Sequence, residues 1–183
     1  MKSTKNTFRI RGGNLRLRNL EMRDAWLMYS WMHDKSVVGK MQTDFEKKTI
    51  DDCRNFIANS QDKKNIHLAI VDNEDVYLGT VSLKHITTES AEFAIVVRKE
   101  AMGKGYSIWA MNEIIRIGFE KYRVKKIYWC VARDNFRARR FYDKNGFAKV
   151  SVSEINSVDG YSREQIEDYI WYAVISEESH ECY

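Results

Sequence analysis

The stretch of sequence that decides the fold is Ile95–Ser107, which reads IVVRKEAMGKGYS. A short apolar run, typical of a strand, enters a loop that contains Gly103 and Gly105, and a long helical pattern follows the loop. The first N–H groups of a helix have no partner inside the helix, and the helix dipole places partial positive charge behind them. Such a junction favours binding of a phosphate or pyrophosphate, although the glycines could also serve only a turn.

Two common phosphate-binding motifs do not fit this loop. A Walker-type loop requires Lys directly after its last glycine, where this chain has Tyr106. A dinucleotide-binding fingerprint requires a third glycine, where this chain has Ile108, and it belongs to a parallel βαβ unit. The strand-like runs before the loop predict an antiparallel meander instead. Neither of these nucleotide-binding classes therefore matches the sequence.

Hydrophobic periodicity in the rest of the chain predicts a mixed α/β protein, with a mostly antiparallel central sheet flanked by helices. The predicted strands cover residues 8–10, 15–17, 66–71, 77–86, 91–97, 127–132, 148–152 and 169–175. Helices are predicted over residues 22–32, from residue 49 onward, over 105–122 and over 138–144. No linker or repeat divides the chain, so we expect one domain over residues 1–183.

The same patterns predict which side chains are buried. In the helix over 105–122, apolar residues at three- or four-residue spacing predict a buried face made of Ile108, Met111, Ile115, Phe119 and Tyr122. Trp26 is expected mainly in the core, together with its neighbours Tyr29 and Trp31. Cys130 lies in a mostly apolar strand, which predicts an inert buried thiol.

Composition limits the classes of function. The chain has 183 residues and 30 Lys and Arg against 26 Asp and Glu, and its net charge of +4 is spread along its length. This distribution gives no strong case for a nucleic-acid partner. The sequence has no apolar run of membrane-spanning length and no signal pattern after Met1, so we expect a cytoplasmic protein with no membrane partner. Its three cysteines are too scattered for a disulfide framework or a metal site.

A second informative stretch is Asn135–Phe147, which reads NFRARRFYDKNGF. Asn135 occupies a helix N-cap position, and its amide could also bind a polar part of a ligand. Tyr142 lies two helical turns later on the same face, and its phenol, with a reference pKa of ~10, can donate a proton. A purely structural interpretation, with a capping Asn135 and a packed Tyr142, remains the alternative.

Together the two stretches resemble the GNAT superfamily of acetyl-CoA-dependent N-acetyltransferases. The pyrophosphate loop of that family reads Arg/Gln-x-x-Gly-x-Gly/Ala, and the matching positions here are Met102, Gly105 and Ser107. Met102 and Ser107 depart from the pattern, whereas Asn135–Phe147 matches Asn-x-x-Ala-x-x-x-Tyr-x-x-x-Gly-Phe throughout. The resemblance is sharp from about residue 91 to residue 147 and implies a GNAT-like acyltransferase fold.

The resemblance also implies an activity, namely direct transfer of an acetyl group from acetyl-CoA to a primary amine, without an acyl-enzyme or a metal. It implies that Tyr142 protonates the departing thiolate. The coenzyme A site implied in this way comprises Ile95, Val96, Val97, Met102, Gly103, Lys104, Gly105, Tyr106, Ser107 and Asn135.

The amine must lose a proton when it attacks, so a base or a water chain is required. Glu92 is the first candidate for this base, since its alternation with Ala91 and Phe93 could direct it into the cleft, and His85 is the second. A solvent-facing Glu92, or one paired with a lysine, is the structural alternative.

The sequence is compatible with several classes of acceptor substrate. The segment from Trp31 to Gln42 resembles that of enzymes that acetylate the amino sugar of a nucleotide sugar, and we favour such a small molecule as the acceptor. The N-terminus of a ribosomal protein is the alternative, a polyamine is third, and a non-catalytic acyl-CoA-binding module belongs to a different class. A monomer and a homodimer both remain possible.

Overall fold

The computed structural model describes residues 8–10, 13–41, 43–154 and 160–176. Its strands are β1 (Phe8–Ile10), β2 (Gly13–Asn19), β3 (Ile66–Val71), β4 (Tyr77–Lys84), β5 (Ser90–Val97), β6 (Lys126–Ala132), β7 (Ala148–Val150) and β8 (Tyr169–Ile175). They form one mixed sheet in the order β1-β2-β3-β4-β5-β6-β8-β7. The predicted α/β class with a mostly antiparallel sheet is confirmed, because β5 and β6 are the parallel pair among antiparallel neighbours.

Six α-helices lie within the described residues: α1 (Ala25–Met32), α2 (Lys35–Val38), α3 (Ile50–Ala58), α4 (Tyr106–Lys121), α5 (Phe136–Lys144) and α6 (Arg163–Asp168). The predicted cap of α3 is confirmed, since the Thr49 hydroxyl accepts a hydrogen bond from the Asp52 backbone N–H at 3.1 Å. The sequence analysis missed α2 and α6, which are too short to show a helical hydrophobic period. No helix in the described ranges has the length and apolar character needed to cross a membrane.

The parallel pair β5 and β6 positions the cavity of the protein. Its pairing covers only Ser90 with Lys126, Ala91 with Ile127, and Glu92 with Tyr128. Beyond Glu92, β5 remains paired with β4 on its other side, as far as Val97. A strand in a sheet offers backbone groups to both sides, and among the described strands none pairs with the β6-facing edge of β5 beyond Glu92. The two strands therefore separate and leave a gap in the middle of the sheet.

Two apolar clusters cover the opposite faces of this sheet. On one face, α4 packs on side chains of β3 to β6 that include Leu68, Leu83 and Ile127. On the other face, α1, α2 and α3 pack around Ala69, Val71 and Tyr77. Because successive strand residues point to opposite faces, Glu92 and Tyr128 lie on the side of α1–α3, whereas Ala91 and Ile127 lie on the side of α4.

The buried face of α4 differs from the predicted one. Met111 is buried as expected, but the other buried positions of α4 are Trp109, Ala110, Ile114 and Gly118. Ile108, Ile115, Phe119 and Tyr122 are only half-buried. A Cβ atom at Gly118 would lie 2.7 Å from Cδ1 of Ile127, so the helix approaches the sheet most closely at this glycine. A prediction based on large apolar residues cannot detect such a contact.

Two other burial predictions are also wrong in part. Trp26 is 68% exposed, because it lies on the outer side of α1, where its ring stacks on Tyr29 with centroids 5.7 Å apart. Cys130 is half-buried rather than buried, since β6 faces the gap at that position. Trp31, in contrast, is 5% exposed and lies in the core as predicted.

A cluster of arginines around Asp75 joins β2 to the turn between β3 and β4. The carboxylate accepts hydrogen bonds from Arg16, Arg23 and, at 3.0 Å, Arg18. Burial alone would raise the pKa of Asp75, but these hydrogen bonds outweigh burial and hold the pKa well below its usual value. Asp75 therefore stabilises the fold in its ionised form.

We expect Asp75→Asn to lower the free energy of unfolding by about 1–2 kcal/mol at neutral pH. Asn tolerates the left-handed φ of +66° at this position, so the change removes charge without backbone strain. Because the folded pKa is depressed, the difference from the parent is full above pH ~4 and declines as the pH falls through the folded pKa. Urea unfolding at pH 7 and pH 3 measures this difference in unfolding free energy. Asp44→Asn is the control, because Asp44 forms an exposed ion pair with Lys47.

Candidate active site

The loop between β5 and α4 has the geometry of an anion site. A single 3₁₀ turn over Lys99–Ala101 follows β5, and α4 begins after Gly105, which is its N-cap. Gly103 and Gly105 have φ values of +73° and +80°, in the left-handed region that other residues rarely adopt. A Cβ atom at either glycine would meet nothing within 4 Å, so both face open space. These glycines therefore expose the loop backbone to an approaching ligand.

The backbone N–H groups of this loop are free. Among the described residues, none accepts a hydrogen bond from the N–H groups of residues 103–108, and the first bond of the helix runs from Trp109 to the Gly105 carbonyl oxygen at 3.3 Å. These donors lie at the N-terminus of a 16-residue helix, where the dipole adds positive potential. The row of unpaired donors fits the diphosphate of coenzyme A.

A cavity of about 700 Å³ starts beside this loop and passes through the gap between β5 and β6. On the side of α4 and α5 it is lined by Met102, Gly103, Ser107, Asn135, Ala138 and Tyr142. On the side of α1–α3 it is lined by polar and aromatic groups that include Trp31, Phe45, Phe56, His67, Thr80, Ser82, Lys84 and Glu92. The cavity thus joins the two faces of the sheet.

Most of the predicted site residues line this cavity. Ile95, Val96 and Val97 lie along the free edge of β5, and Met102, Gly103, Ser107 and Asn135 surround the loop end. Lys104, Gly105 and Tyr106 lie in the same loop but do not line the cavity, and Lys104 is exposed. His85 also lies outside the lining, at the end of β4. Gln42, the end of the segment compared with sugar acetyltransferases, lies outside the described residues.

Tyr142 presents its hydroxyl group to the cavity. The side chain is 8% exposed, and its ring packs against Trp129 and Tyr172, with centroids 5.3 and 5.1 Å away. No described residue forms a hydrogen bond with its hydroxyl, and burial raises its pKa well above the usual value. The group therefore remains a protonated donor across the physiological range of pH.

Asn135 caps α5 as predicted. Its Oδ1 accepts a hydrogen bond from the Ala138 backbone N–H at 3.2 Å. The capping bond uses the oxygen only, so the two N–H donors of the side-chain amide remain for a ligand in the cavity. Both the structural and the ligand-binding interpretations of Asn135 are therefore compatible with the geometry.

Glu92 is buried in the wall of the cavity, with 3% of its surface exposed. Its Oε1 accepts hydrogen bonds from Nζ of Lys84 at 2.7 Å and from the hydroxyl of Tyr161 at 2.8 Å. Its Oε2 is buried without a hydrogen bond, and Nε2 of His85 lies 3.6 Å from it. The carboxylate is thus both paired with a lysine and directed into the cleft, two arrangements that the sequence analysis treated as alternatives.

The sequence analysis missed further polar groups of the cavity. Nδ1 of His67 lies 2.7 Å from Oγ of Ser82, its directly opposite partner on β4. Burial, assisted by the positive charge of Lys84, lowers the pKa of His67 to about 4, so the imidazole is neutral at physiological pH. Thr80, Ser82 and Lys84 alternate with apolar residues in β4, and this period of two could have identified a polar face.

The fold and this site are together those of an acyltransferase that takes its acyl group from a coenzyme A thioester. The family model described as an acetyltransferase (GNAT) domain matches residues 14–148. The chain belongs to the GNAT acetyltransferase family, and acetyl-CoA is the acyl donor of this family. The resemblance drawn from the two sequence motifs is therefore confirmed.

Similar proteins agree with this assignment. Acetyltransferase PseH of Campylobacter jejuni is 28% identical over 131 residues, which cover 70% of this chain and 79% of that protein. Spermidine N(1)-acetyltransferase of Vibrio cholerae is 31% identical over 94 residues, or 47% of this chain and 54% of that protein.

Solved structures show the same fold. The spermidine N-acetyltransferase of V. cholerae, in complex with CoA and spermine, superimposes on this chain with a TM-score of 0.71 at 23% identity. The match covers 88% of this chain and 95% of the V. cholerae chain. A GNAT-family acetyltransferase from Bacillus anthracis has a TM-score of 0.69 at 20% identity, and the match covers 88% of this chain and 94% of the B. anthracis chain. At this level of identity the likeness establishes the fold alone.

Proposed function

We propose that this acetyltransferase transfers the acetyl group to the primary amine of an amino sugar in a nucleotide sugar. The observation that carries the proposal is the charge around the cavity, whose lining has four cationic side chains and two carboxylates. The cations are Lys40, Lys48, Lys84 and Arg137, and the carboxylates are Asp52 and Glu92. Lys40 is paired with Asp134 and Lys84 with Glu92, so Lys48 and Arg137 are the lining cations without an ion-pair partner among the described residues. A diphosphate-bearing acceptor is attracted by such a lining, whereas a polycation is repelled.

Both carboxylates of the lining are already engaged. Oδ2 of Asp52 accepts hydrogen bonds from the backbone N–H and the hydroxyl of Thr49, at 2.7 and 2.9 Å. Glu92 is paired with Lys84 and keeps one oxygen free. This arrangement offers a single acceptor position for one amine, rather than the series of carboxylates that would match the repeated charges of spermidine.

Aromatic side chains of the same cavity suit the rings of a sugar or a nucleobase. Phe45 packs edge-on against Trp31, with ring centroids 5.2 Å apart, and Phe56 packs against His67 at 4.7 Å. Phe56 is 36% exposed, so part of its ring remains available for contact. Apolar ring surfaces with few polar groups among them are typical of small-molecule sites.

The mechanism assigns separate tasks to the residues around the gap. The free N–H groups of the loop bind the diphosphate of the donor, and the free edge of β5 near Ile95–Val97 binds its extended arm by backbone hydrogen bonds. Acetyl-CoA, when bound, supplies an acetyl group activated as a thioester. Backbone N–H groups of β5 can polarise its carbonyl oxygen and stabilise negative charge that develops there.

Proton transfer is assigned to two of the ionisable groups that line the cavity, Glu92 and Tyr142. Oε2 of Glu92 accepts a hydrogen bond from the amine and receives its proton as the N–C bond forms, because the nitrogen becomes acidic at that stage. Tyr142 gives its proton to the sulfur as the C–S bond breaks. The products are an amide and a free thiol, and solvent restores both side chains.

A panel of acceptors tests the proposal by release of free thiol from acetyl-CoA. We expect kcat/KM for amino-sugar nucleotides to exceed that for spermidine or for short peptides by at least about 10²-fold, since only the former match both the cations and the single carboxylate. A preference for peptides would instead identify an N-terminal acetyltransferase. A preference for spermidine would refute the electrostatic argument.

Charge reversal at the mouth of the cavity gives a second test. Lys48 is exposed, and no described carboxylate lies within ion-pair distance of it, so Lys48→Glu should raise KM for the nucleotide sugar about three- to ten-fold at low salt. Lys47→Glu is the matched control, because Lys47 is paired with Asp44 and does not line the cavity. Equal effects of the two variants would show that only the overall charge matters.

A further inference from the structure

We propose that Tyr161 is a positioning residue for acetyl transfer, which holds Glu92 so that one carboxylate oxygen faces the acceptor amine. The inference rests on the role that the proposed function gives to Glu92. Tyr161 lies beyond the residues that the family model matches. Its hydroxyl donates a hydrogen bond of 2.8 Å to Oε1 of Glu92, although the two residues are 69 positions apart in the sequence. The acceptor site would thus be completed by Tyr161, which lies just before α6.

The contacts of Glu92 divide its two oxygens into different roles. Lys84 and Tyr161 both donate to Oε1, from β4 and from the segment before α6. Oε2 is left buried and without a hydrogen bond in a side chain that is 3% exposed. Nε2 of His85 lies 3.6 Å from Oε2, beyond hydrogen-bond distance, so this oxygen keeps its capacity to accept a hydrogen bond from a ligand.

Tyr161 is itself held in place by the cluster of aromatic residues around β8. Its ring packs against Trp171 and Tyr169, with centroids 5.4 and 6.3 Å away. Nε1 of Trp171 donates to the Ile166 carbonyl oxygen at 2.8 Å, which anchors this ring to α6. Burial raises the pKa of Tyr161, so its hydroxyl remains a donor to the carboxylate.

Lys84 alone would not fix the orientation of the Glu92 carboxylate. Lys84 is directly opposite Glu92 in the antiparallel pair of β4 and β5, and its flexible side chain can follow either oxygen. Tyr161 approaches from another element, and a phenol has few rotatable bonds, so it fixes which oxygen is occupied. Other titratable groups near this carboxylate or its partners are His85, at 3.6 Å from Oε2, and Cys130, whose Sγ lies 3.5 Å from the Tyr161 hydroxyl. His67 is a third, since the charge of Lys84 acts on it.

The test is Tyr161→Phe, which keeps the ring and removes the hydroxyl. We expect kcat/KM for the acceptor amine to fall about ten-fold near neutral pH, while KM for acetyl-CoA stays within about two-fold. Because Tyr161 acts only through Glu92, Tyr161→Phe should add little to the loss caused by Glu92→Gln, and the double variant should be about as active as Glu92→Gln alone. A purely structural defect would instead add its own loss in full.

Tyr169→Phe is the matched control, since Tyr169 belongs to the same aromatic cluster but, within the described part of the chain, forms no hydrogen bond with Glu92 and does not line the cavity. Wild-type kinetics in Tyr161→Phe, or a loss that adds in full to that of Glu92→Gln, would overturn the positioning role. The variant Glu92→Gln distinguishes a failure of the proposed base from a failure of the inference about Tyr161. Full activity in Glu92→Gln refutes the proposed base itself, whereas an inactive Glu92→Gln beside an unaffected Tyr161→Phe refutes only the inference about Tyr161.

Discussion

Replacement of Tyr142 by phenylalanine is expected to lower kcat about 10²-fold or more, the usual contribution of a positioned general acid. The departing thiolate would then have to take its proton from solvent, which the aromatic residues around Tyr142 exclude. Affinity for coenzyme A should change by less than about two-fold, because the phenylalanine ring preserves the packing. The burial that raises the pKa of Tyr142 also predicts that the parent enzyme loses no activity through this group below pH ~10.

Thiol release under saturating substrates measures kcat, and calorimetric titration with coenzyme A measures affinity. Tyr172→Phe is a suitable control, since Tyr172 packs beside Tyr142 but donates its hydroxyl to Asp143 at 2.9 Å and does not line the cavity. An unchanged kcat in Tyr142→Phe would remove the general-acid assignment and leave this residue as packing only.

Replacement of Gly105 by valine should weaken binding of acetyl-CoA about 10- to 100-fold. A β-branched residue at a φ of +80° is strained by about 1–2 kcal/mol, and its side chain would occupy the open space that the diphosphate needs. The backbone N–H groups of residues 103–108 would consequently be displaced or covered. Turnover at saturating donor should be affected less than affinity, because Gly105 does not line the part of the cavity that holds Tyr142 and Glu92.

The control for this variant is Gly146→Val, which separates strain in the fold from loss of the site. Gly146 has a similar φ of +78° with no atom within 4 Å of its Cβ position, and it lies outside the cavity lining. We expect both variants to lose stability to a similar extent in thermal unfolding, but only Gly105→Val to lose affinity. If Gly146→Val weakens acetyl-CoA binding as much, backbone strain rather than anion recognition accounts for the effect.

Local patterns in the sequence were sufficient for the framework of the protein. The apolar runs of β3 and β5, the N-cap at Thr49, and the Gly103–Gly105 loop ahead of α4 each depend on neighbours in sequence. Their geometry was predictable because backbone sterics and capping act over one or two turns. The family motif at Asn135 then added the donor site by resemblance.

The acceptor side was not predictable in the same way, because it depends on contacts between distant segments. The pairing of Lys84 with Glu92 requires the register of β4 and β5, and the bond from Tyr161 joins residues 69 positions apart. Alternation in the sequence favoured a Glu92 that faces the cleft, but no short-range signal indicated Tyr161 or His67. The exposure of Trp26 was missed for a related reason, since an aromatic residue on a short helix does not reveal which side meets the sheet.

The short pairing between β5 and β6 affects how firmly the two halves of the sheet are held together. Only three residue pairs join the two halves of the sheet along this seam, so backbone hydrogen bonding across it is weak compared with that along the long β3–β4 and β6–β8 ladders. Packing of α4 on side chains from both halves, such as Leu83 and Ile127, holds them together across this seam. A donor bound in the gap as proposed, with backbone hydrogen bonds to the edge of β5, would add a further link between the two halves.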